Sequence, residues 1–180
     1  MNFGQNENVF LVQPQNLFLI GFMGAGKTTI GRLLASRIGQ AFRDLDTEIQ
    51  INEGRIINNI FHSKGENHFR EIESQTLRNL VGENAAVIST GGGTPLYFDN
   101  LDWMKSHGKV VCLWGKFETF YGRLTQNVKS SRPLVTELNY EDLKLKYLER
   151  EKFYLQADLV IDCELIRSTS EIVENICENL

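Results

Sequence analysis

Cysteine and proline are scarce in this chain, with three of each among 180 residues. Cys112, Cys163 and Cys177 are odd in number and form no C-x-x-C pair. No disulfide framework is expected from them, and a reducing cytoplasm fits better than an oxidising compartment. An excess of positive charge is missing as well. The net charge is −4, whereas a general nucleic-acid binder is usually basic, so no nucleic-acid partner is expected. Small anionic ligands are not excluded, because a few arginines in a cleft suffice for them. No stretch approaches the roughly 18 apolar residues that span a bilayer. The opening "MNFGQNENVFLVQPQN" lacks the charged start of a secretory signal, and Gln13 and Pro14 cut its apolar run short. No membrane association is expected. Repeats, low-complexity tracts and long linkers are also lacking.

What is present suits a single domain over residues 1–180, since 42% of the chain is hydrophobic, enough for a substantial core. Residues 1–16 read as a loose polar extension. Beyond them, short apolar runs alternate with amphipathic stretches. Strands are expected at Leu17–Ile20, Ala41–Leu45, Ala85–Ser89, Lys109–Trp114 and Ala157–Asp162. Helices are expected at Thr28–Ile38, Asp46–Asn52, Ile56–Phe61, Asn67–Leu80, Tyr140–Tyr154 and Thr169–Asn179, from apolar residues at helical spacing. Such alternation indicates an α/β fold with a mostly parallel sheet and helices on both faces. Ligands in that architecture sit beyond the carboxyl ends of the strands. The polar segment Thr125–Leu138 is the least regular part and is expected to be a mobile lid.

The run "LFLIGFMGAGKTTIG" carries the clearest chemistry. Gly21, Gly24, Gly26, Lys27 and Thr28 complete the pattern G-x-x-x-x-G-K-[ST], between an expected strand and an expected helix. The glycines let backbone N–H groups turn inward onto phosphate oxygens, and the helix adds its positive end. Lys27 is suited to the outer phosphates, and the Thr28 hydroxyl to Mg²⁺. Gly24, Ala25, Gly26, Lys27, Thr28 and Thr29 are therefore the expected ATP-binding residues. The D-x-x-G and N-K-x-D motifs of a GTPase and the S-G-G-Q motif of a transporter ATPase are absent. A compact kinase of small molecules remains.

Three further stretches bear on the acceptor. "FRDLDTEI" supplies Asp44 and Asp46, which in an extended chain would face the same way beside the phosphates. One would stand near Mg²⁺ and one near an acceptor hydroxyl. A plain acidic turn, or a cap by Asp46, is the alternative. Arg70 in "GENHFREIE" has Glu73 at i+3, close enough to fix its guanidinium, although a surface salt bridge would read the same. Glu66 and Glu71 read as solvated charges. Gly91, Gly92 and Gly93 in "STGGGTP" remove every side chain from a strand-end loop, so a ligand can approach the backbone.

In this order, "GFMGAGKTTIGRLLA", "FRDLDTEI", "GRIINNIF", "GENHFREIE", "VISTGGG", "RPL", "LEREKFY" and "AD..ID" resemble the shikimate kinase family, over roughly Leu17 to Asp162. The resemblance implies the three-layer P-loop kinase fold with a central five-stranded parallel sheet, flanking helices and a mobile lid. It implies the ATP:shikimate 3-phosphotransferase reaction, which gives ADP and 3-phosphoshikimate on the way to chorismate and the aromatic amino acids. ATP and shikimate would be the small-molecule partners, Mg²⁺ the cofactor and a monomer the expected state. By the same resemblance Asp46 contacts the reacting hydroxyl, and Asp44 lies near the metal with Thr28. Arg70 and Arg150 hold the substrate carboxylate, and Gly92, within Gly91–Gly93, contacts the substrate. Arg132 of the lid meets the ATP phosphates. Arg123 and Arg167 fall on the adenine side. Catalysis would then rest on Asp46, Lys27 and Arg132.

Overall fold

Residues 15–126, 139–166 and 168–180 are described by the computed structural model of the chain. Five strands form one parallel sheet: β1 (Asn16–Ile20), β2 (Ala41–Asp44), β3 (Ala86–Ser89), β4 (Gly108–Trp114) and β5 (Leu159–Asp162), in the order β2-β3-β1-β4-β5. Leu19 stands opposite Ser89, and Ser89 opposite Asp44, so three chain segments leave the sheet at one level. The three inner strands are buried almost throughout, which is why they read as continuous apolar runs. The edge strands β2 and β5 are more exposed.

Seven α-helices are described: α1 (Lys27–Ile38), α2 (Leu45–Glu53), α3 (Ile57–Asn79), α4 (Asn100–His107), α5 (Phe117–Gln126), α6 (Tyr140–Tyr154) and α7 (Thr169–Glu178). The connection through α1 runs from β1 to one edge of the sheet, while that through α4 runs from β3 toward the other. Right-handed crossovers therefore put α1 and α4 on opposite faces. Helix α7 packs beside α1. The reversal of direction at β1 creates the crevice in which such sheets bind ligands. Leu17–Ile20, Val87, Ile88 and Val110–Leu113 form the centre of the core, and Phe22, Phe117, Phe120 and Tyr147 close it beyond the strand ends.

Differences from the expected elements have local causes. Strand β2 stops at Asp44 because that carboxylate caps α2, its Oδ1 accepting from the Thr47 backbone N–H at 3.1 Å. The helices expected at Ile56–Phe61 and Asn67–Leu80 join into α3 with a kink at Gly65, where φ is 80° and ψ 172°. Helices α4 and α5 were not expected. The signal for α5 is present nonetheless, since Phe117, Phe120, Tyr121 and Leu124 recur at helical spacing and pack inward. Residues 1–14, and with them nearly all of the expected extension, lie outside the described residues. So does 127–138, most of the expected lid.

All three cysteines are buried and free. Burial pushes the Cys112 thiol up to about 12 and that of Cys163 up to about 11, from an ordinary 9.0. The folded protein holds these protons where the unfolded chain would release them, so stability should fall as pH rises from about 9 toward these values. Titration with a thiol reagent at pH 8 should be slow on native protein and reach all three thiols once the chain is unfolded. Fast stoichiometric labelling of native protein would contradict that burial.

Candidate active site

The loop after β1 delivers α1 with its amino end toward the carboxyl edge of the sheet. Gly24 and Gly26 take φ of 82° and 91°, a turn that side-chain-bearing residues adopt only with strain. Gly26 is also the residue from which α1 starts, and its carbonyl accepts from the Ile30 N–H at 2.9 Å. Ala25 is buried, and Thr29 is exposed on the first turn. Lys27 Nζ lies back over the loop, donating to the carbonyl oxygens of Gly21 at 2.8 Å and Phe22 at 3.1 Å. Thr28 Oγ1 donates to Asp44 Oδ2 at 2.9 Å. A hydroxyl and a carboxylate are thereby joined at the phosphate loop, both hard oxygen donors.

Asp44 and Asp46 were expected to face the same way from one extended chain, and the fold differs. They are not two positions of one extended strand. Asp44 ends β2 and caps α2, while Asp46 lies in the first turn of that helix. The cap is made by Asp44, not Asp46. What brings Asp46 to the site is the loop after β3. A Cβ placed on Gly91 would lie 3.3 Å from Asp46 Oδ1 and 2.7 Å from Glu73 Oε1.

Each glycine of the triplet has different neighbours, and at Gly91 and Gly93 a Cβ would come too close to them. A Cβ on Gly92 would lie 3.4 Å from Arg150 Nη1, 3.6 Å from the Gly21 carbonyl oxygen and 3.6 Å from the Met23 nitrogen. The triplet therefore rests against the phosphate loop on one side and Arg150 on the other. A Cβ on Gly93 would lie only 2.8 Å from both Nη1 and Nη2 of Arg70. Gly93 has φ of −96°, open to alanine, so Gly93→Ala tests the close approach alone. It should push the Arg70 guanidinium aside and raise the KM for the acceptor by about five- to a hundredfold, the range of an overpacked contact. The KM for ATP should stay unchanged, and equal changes in both would count against a local effect.

Arg70 is held at all three guanidinium nitrogens by two carboxylates. Its Nη1 donates to Glu73 Oε2 at 2.8 Å, and Glu73 is 1% exposed. Its Nε and Nη2 donate to Glu66 Oε1 at 3.2 and 2.9 Å. Of the five N–H donors of a guanidinium, these bonds leave one on Nη1 and one on Nη2 among the described residues, the two nitrogens that lie beside Gly93. Two parallel N–H groups match a carboxylate. Burial opposes the charge on Arg70, but the carboxylates of Glu73 and Glu66 together outweigh it and hold its pKa above the ordinary value. Glu66 is thus not the solvated charge the sequence suggested. Burial would raise its pKa, yet hydrogen bonds from Arg70 and Tyr97 bring it below the usual value. Glu71, by contrast, is exposed and lies 3.9 Å from His68.

Four supporting residues escaped the sequence reading. Thr94 is fully buried and its Oγ1 donates to Glu73 Oε1 at 2.7 Å. Tyr154 is buried one turn after Arg150, and its hydroxyl donates to the Gly92 carbonyl at 2.5 Å. Glu66 carried a signal, its i,i+4 spacing to Arg70. Tyr97 donates to Glu66 Oε1 at 2.9 Å from 31 positions away, a contact with no local sequence signature.

Arg123 is exposed on α5, the helix that backs the phosphate loop: a Cβ on Gly24 would lie 3.1 Å from Leu124 Cγ and 3.1 Å from the Phe120 carbonyl oxygen. Arg132 and Arg167 lie outside the described residues. Among the described residues, no helix is long and apolar enough to cross a membrane, and no cluster of three or more His, Cys, Asp or Glu could hold a metal.

Comparison with known proteins points to one family. The family model for shikimate kinase matches residues 23–180. The shikimate kinase of Persephonella marina is 39% identical over 162 residues, covering 90% of this chain and 96% of the relative. The crystal structure of shikimate kinase from Bacteroides thetaiotaomicron superposes with a TM-score of 0.85 at 32% identity, covering 93% of this chain and 98% of that one. Shikimate kinase from Acinetobacter baumannii in complex with shikimate gives 0.84 at 33% identity, covering 96% of each chain.

Proposed function

The chain belongs to the shikimate kinase family, and from that premise we propose how its residues carry the γ-phosphoryl group of ATP to the 3-hydroxyl of shikimate. The observation that carries the reading is the convergence of Asp46, Arg70 and Arg150 on three glycines, of which Gly92 also lies beside Gly21 and Met23 of the phosphate loop. Acceptor and donor sites therefore share a wall.

Phosphoryl transfer is mostly a matter of position and charge, because its transition state is loose. The outward edge of Arg70 and the guanidinium of Arg150 hold the substrate carboxylate, with Gly92 beneath the ring. Gly91 and Gly93 keep the loop thin enough for Asp46 and Arg70 to reach the substrate. The clamp fixes which hydroxyl faces ATP. Asp46 orients that hydroxyl and takes its proton as the new P–O bond forms and the bond to the ADP oxygen breaks. The N–H groups of Gly24 to Thr29 cradle the phosphates, and Lys27 and Arg132 offset charge on the moving group. Arg123 and Arg167 serve the adenine side.

Thr28 and Asp44 would hold Mg²⁺. Their paired hydroxyl and carboxylate oxygens suit that ion, which is commonly bound by one or two protein oxygens with water and phosphate rather than by a protein cage. When bound, Mg²⁺ supplies charge neutralisation at the phosphates. The protein is read as a monomeric, cytoplasmic single domain, with 125–138 as its lid and 1–16 as an extension.

The test is ADP release from ATP and Mg²⁺, with and without shikimate, with gluconate and a nucleoside monophosphate as other acceptors. Shikimate-dependent release is expected. Release with another acceptor alone would overturn Arg70, Gly92 and Arg150 as a shikimate site.

A further inference from the structure

We propose that Tyr97, acting with Glu66, is a positioning residue that sets the plane of the Arg70 guanidinium for its anionic ligand. This rests on the reading of Arg70 as the group that holds the substrate carboxylate. Three rings surround that guanidinium. Its Cζ lies 5.8 Å from the centre of Phe61, 5.1 Å from Phe69 and 4.2 Å from Tyr97. At the shortest of these separations Tyr97 makes the closest cation–π contact. The same side chain reaches Glu66 Oε1, the atom that accepts from Arg70 Nε and Nη2. Tyr97 therefore meets the guanidinium twice, with its ring face directly and with its hydroxyl through the carboxylate. Glu73 fixes only Nη1 and leaves rotation about that bond. The ring and Glu66 remove it, so Nη1 and Nη2 keep their place beside Gly93 of the glycine triplet.

A second observation points the same way. Phe98 has φ of 54°, the one non-glycine residue with positive φ among the described residues, and it is 64% exposed. A bulky residue in that region is strained. An exposed side chain gains no packing there that would account for the strain. The turn does something for its neighbours instead. It brings Tyr97 over Arg70 and Asp99 to Arg78 Nη2, so backbone strain is tolerated where it delivers the ring to the guanidinium.

The test is steady-state kinetics and thermal melting of Tyr97→Leu, Tyr97→Phe, Arg70→Lys and the double variant Tyr97→Leu/Arg70→Lys. Tyr97→Leu should raise the shikimate KM about three- to thirtyfold, the worth of a cation–π contact between exposed and desolvated limits. The ATP KM and kcat should move less than about twofold. Tyr97→Phe keeps the ring and should recover most of the loss, and it serves as the variant to read if leucine impairs folding. In the Arg70→Lys background, Tyr97→Leu should have little further effect, because coupled residues are not additive. A shikimate KM unchanged by Tyr97→Leu, while Arg70→Lys raises it, would overturn the positioning role and leave the substrate site standing. So would full additivity in the double variant, or parallel rises in both KM values. A shikimate KM unchanged by Arg70→Lys would overturn the site reading itself, and this proposal with it.

Discussion

Asp46→Asn is expected to lower kcat by about 10²–10⁴-fold, the range for loss of a positioned acid or base. The side chain lies in the first turn of α2, with Oδ1 at the Gly91 end of the glycine triplet. Asparagine keeps the shape and can still touch a hydroxyl, but it does not take the proton. Its effect should therefore fall on turnover, with the shikimate and ATP KM values changing far less. Loss of a negative charge at a helix amino end contributes a stability change of about 0.3–1 kcal/mol. Rapid-quench measurement of the first turnover separates this from product release. A normal single-turnover rate in Asp46→Asn would remove Asp46 from the chemical step.

Arg70→Met has the largest expected effect on both binding and stability. The Arg70 side chain is 8% exposed and that of Glu73 is 1% exposed. Removing the cation leaves a carboxylate buried with only Thr94 as a described partner besides. Breaking a buried pair in this way costs about 3–5 kcal/mol, or a fall in Tm of roughly 6–20 °C for a chain of this size. Shikimate affinity should fall at least about tenfold, the value of a hydrogen bond to a charged group. The double variant Arg70→Met/Glu73→Gln separates the two consequences. With no buried charge left unpaired, and Glu66 half-exposed to water, it should recover most of the lost stability and none of the shikimate affinity. Calorimetric titration and melting of both variants check this. Recovered affinity in the double variant would mean that the ligand is held elsewhere.

What could be read from the chain in advance follows the range of the interactions. The phosphate loop and the strand and helix around it were legible because the whole device is contiguous, from Leu17 to Ile38. The parallel sheet was legible because its inner strands are buried on both faces and read as apolar runs. The glycine triplet announced a close approach, but not that the approaching groups would be Glu73, Arg150 and Arg70, which arrive from α3 and α6. Asp44 and Asp46 were singled out on strand alternation, which has no part in placing them. A helix cap decides that geometry, and the competing pull of β2 and α2 on residue 44 is not visible in a periodicity. Glu66 was passed over because a half-exposed glutamate is usually solvated, and only the fold brings Tyr97 to it. Thr94 and Tyr154 were silent for the same reason, since each acts on a partner at least 21 positions away.

The central claim is that the glycine triplet, Asp46, Arg70 and Arg150 form the floor and walls of the acceptor site beside the phosphate loop. A crystal structure of this protein with shikimate and a non-hydrolysable ATP analogue tests it most directly. The account predicts the carboxylate within hydrogen-bond reach of Nη1 and Nη2 of Arg70 and of Arg150, the ring over Gly92, and one hydroxyl on Asp46 facing the γ-phosphate. Shikimate bound with its carboxylate away from both arginines, or with no hydroxyl near Asp46, would contradict it.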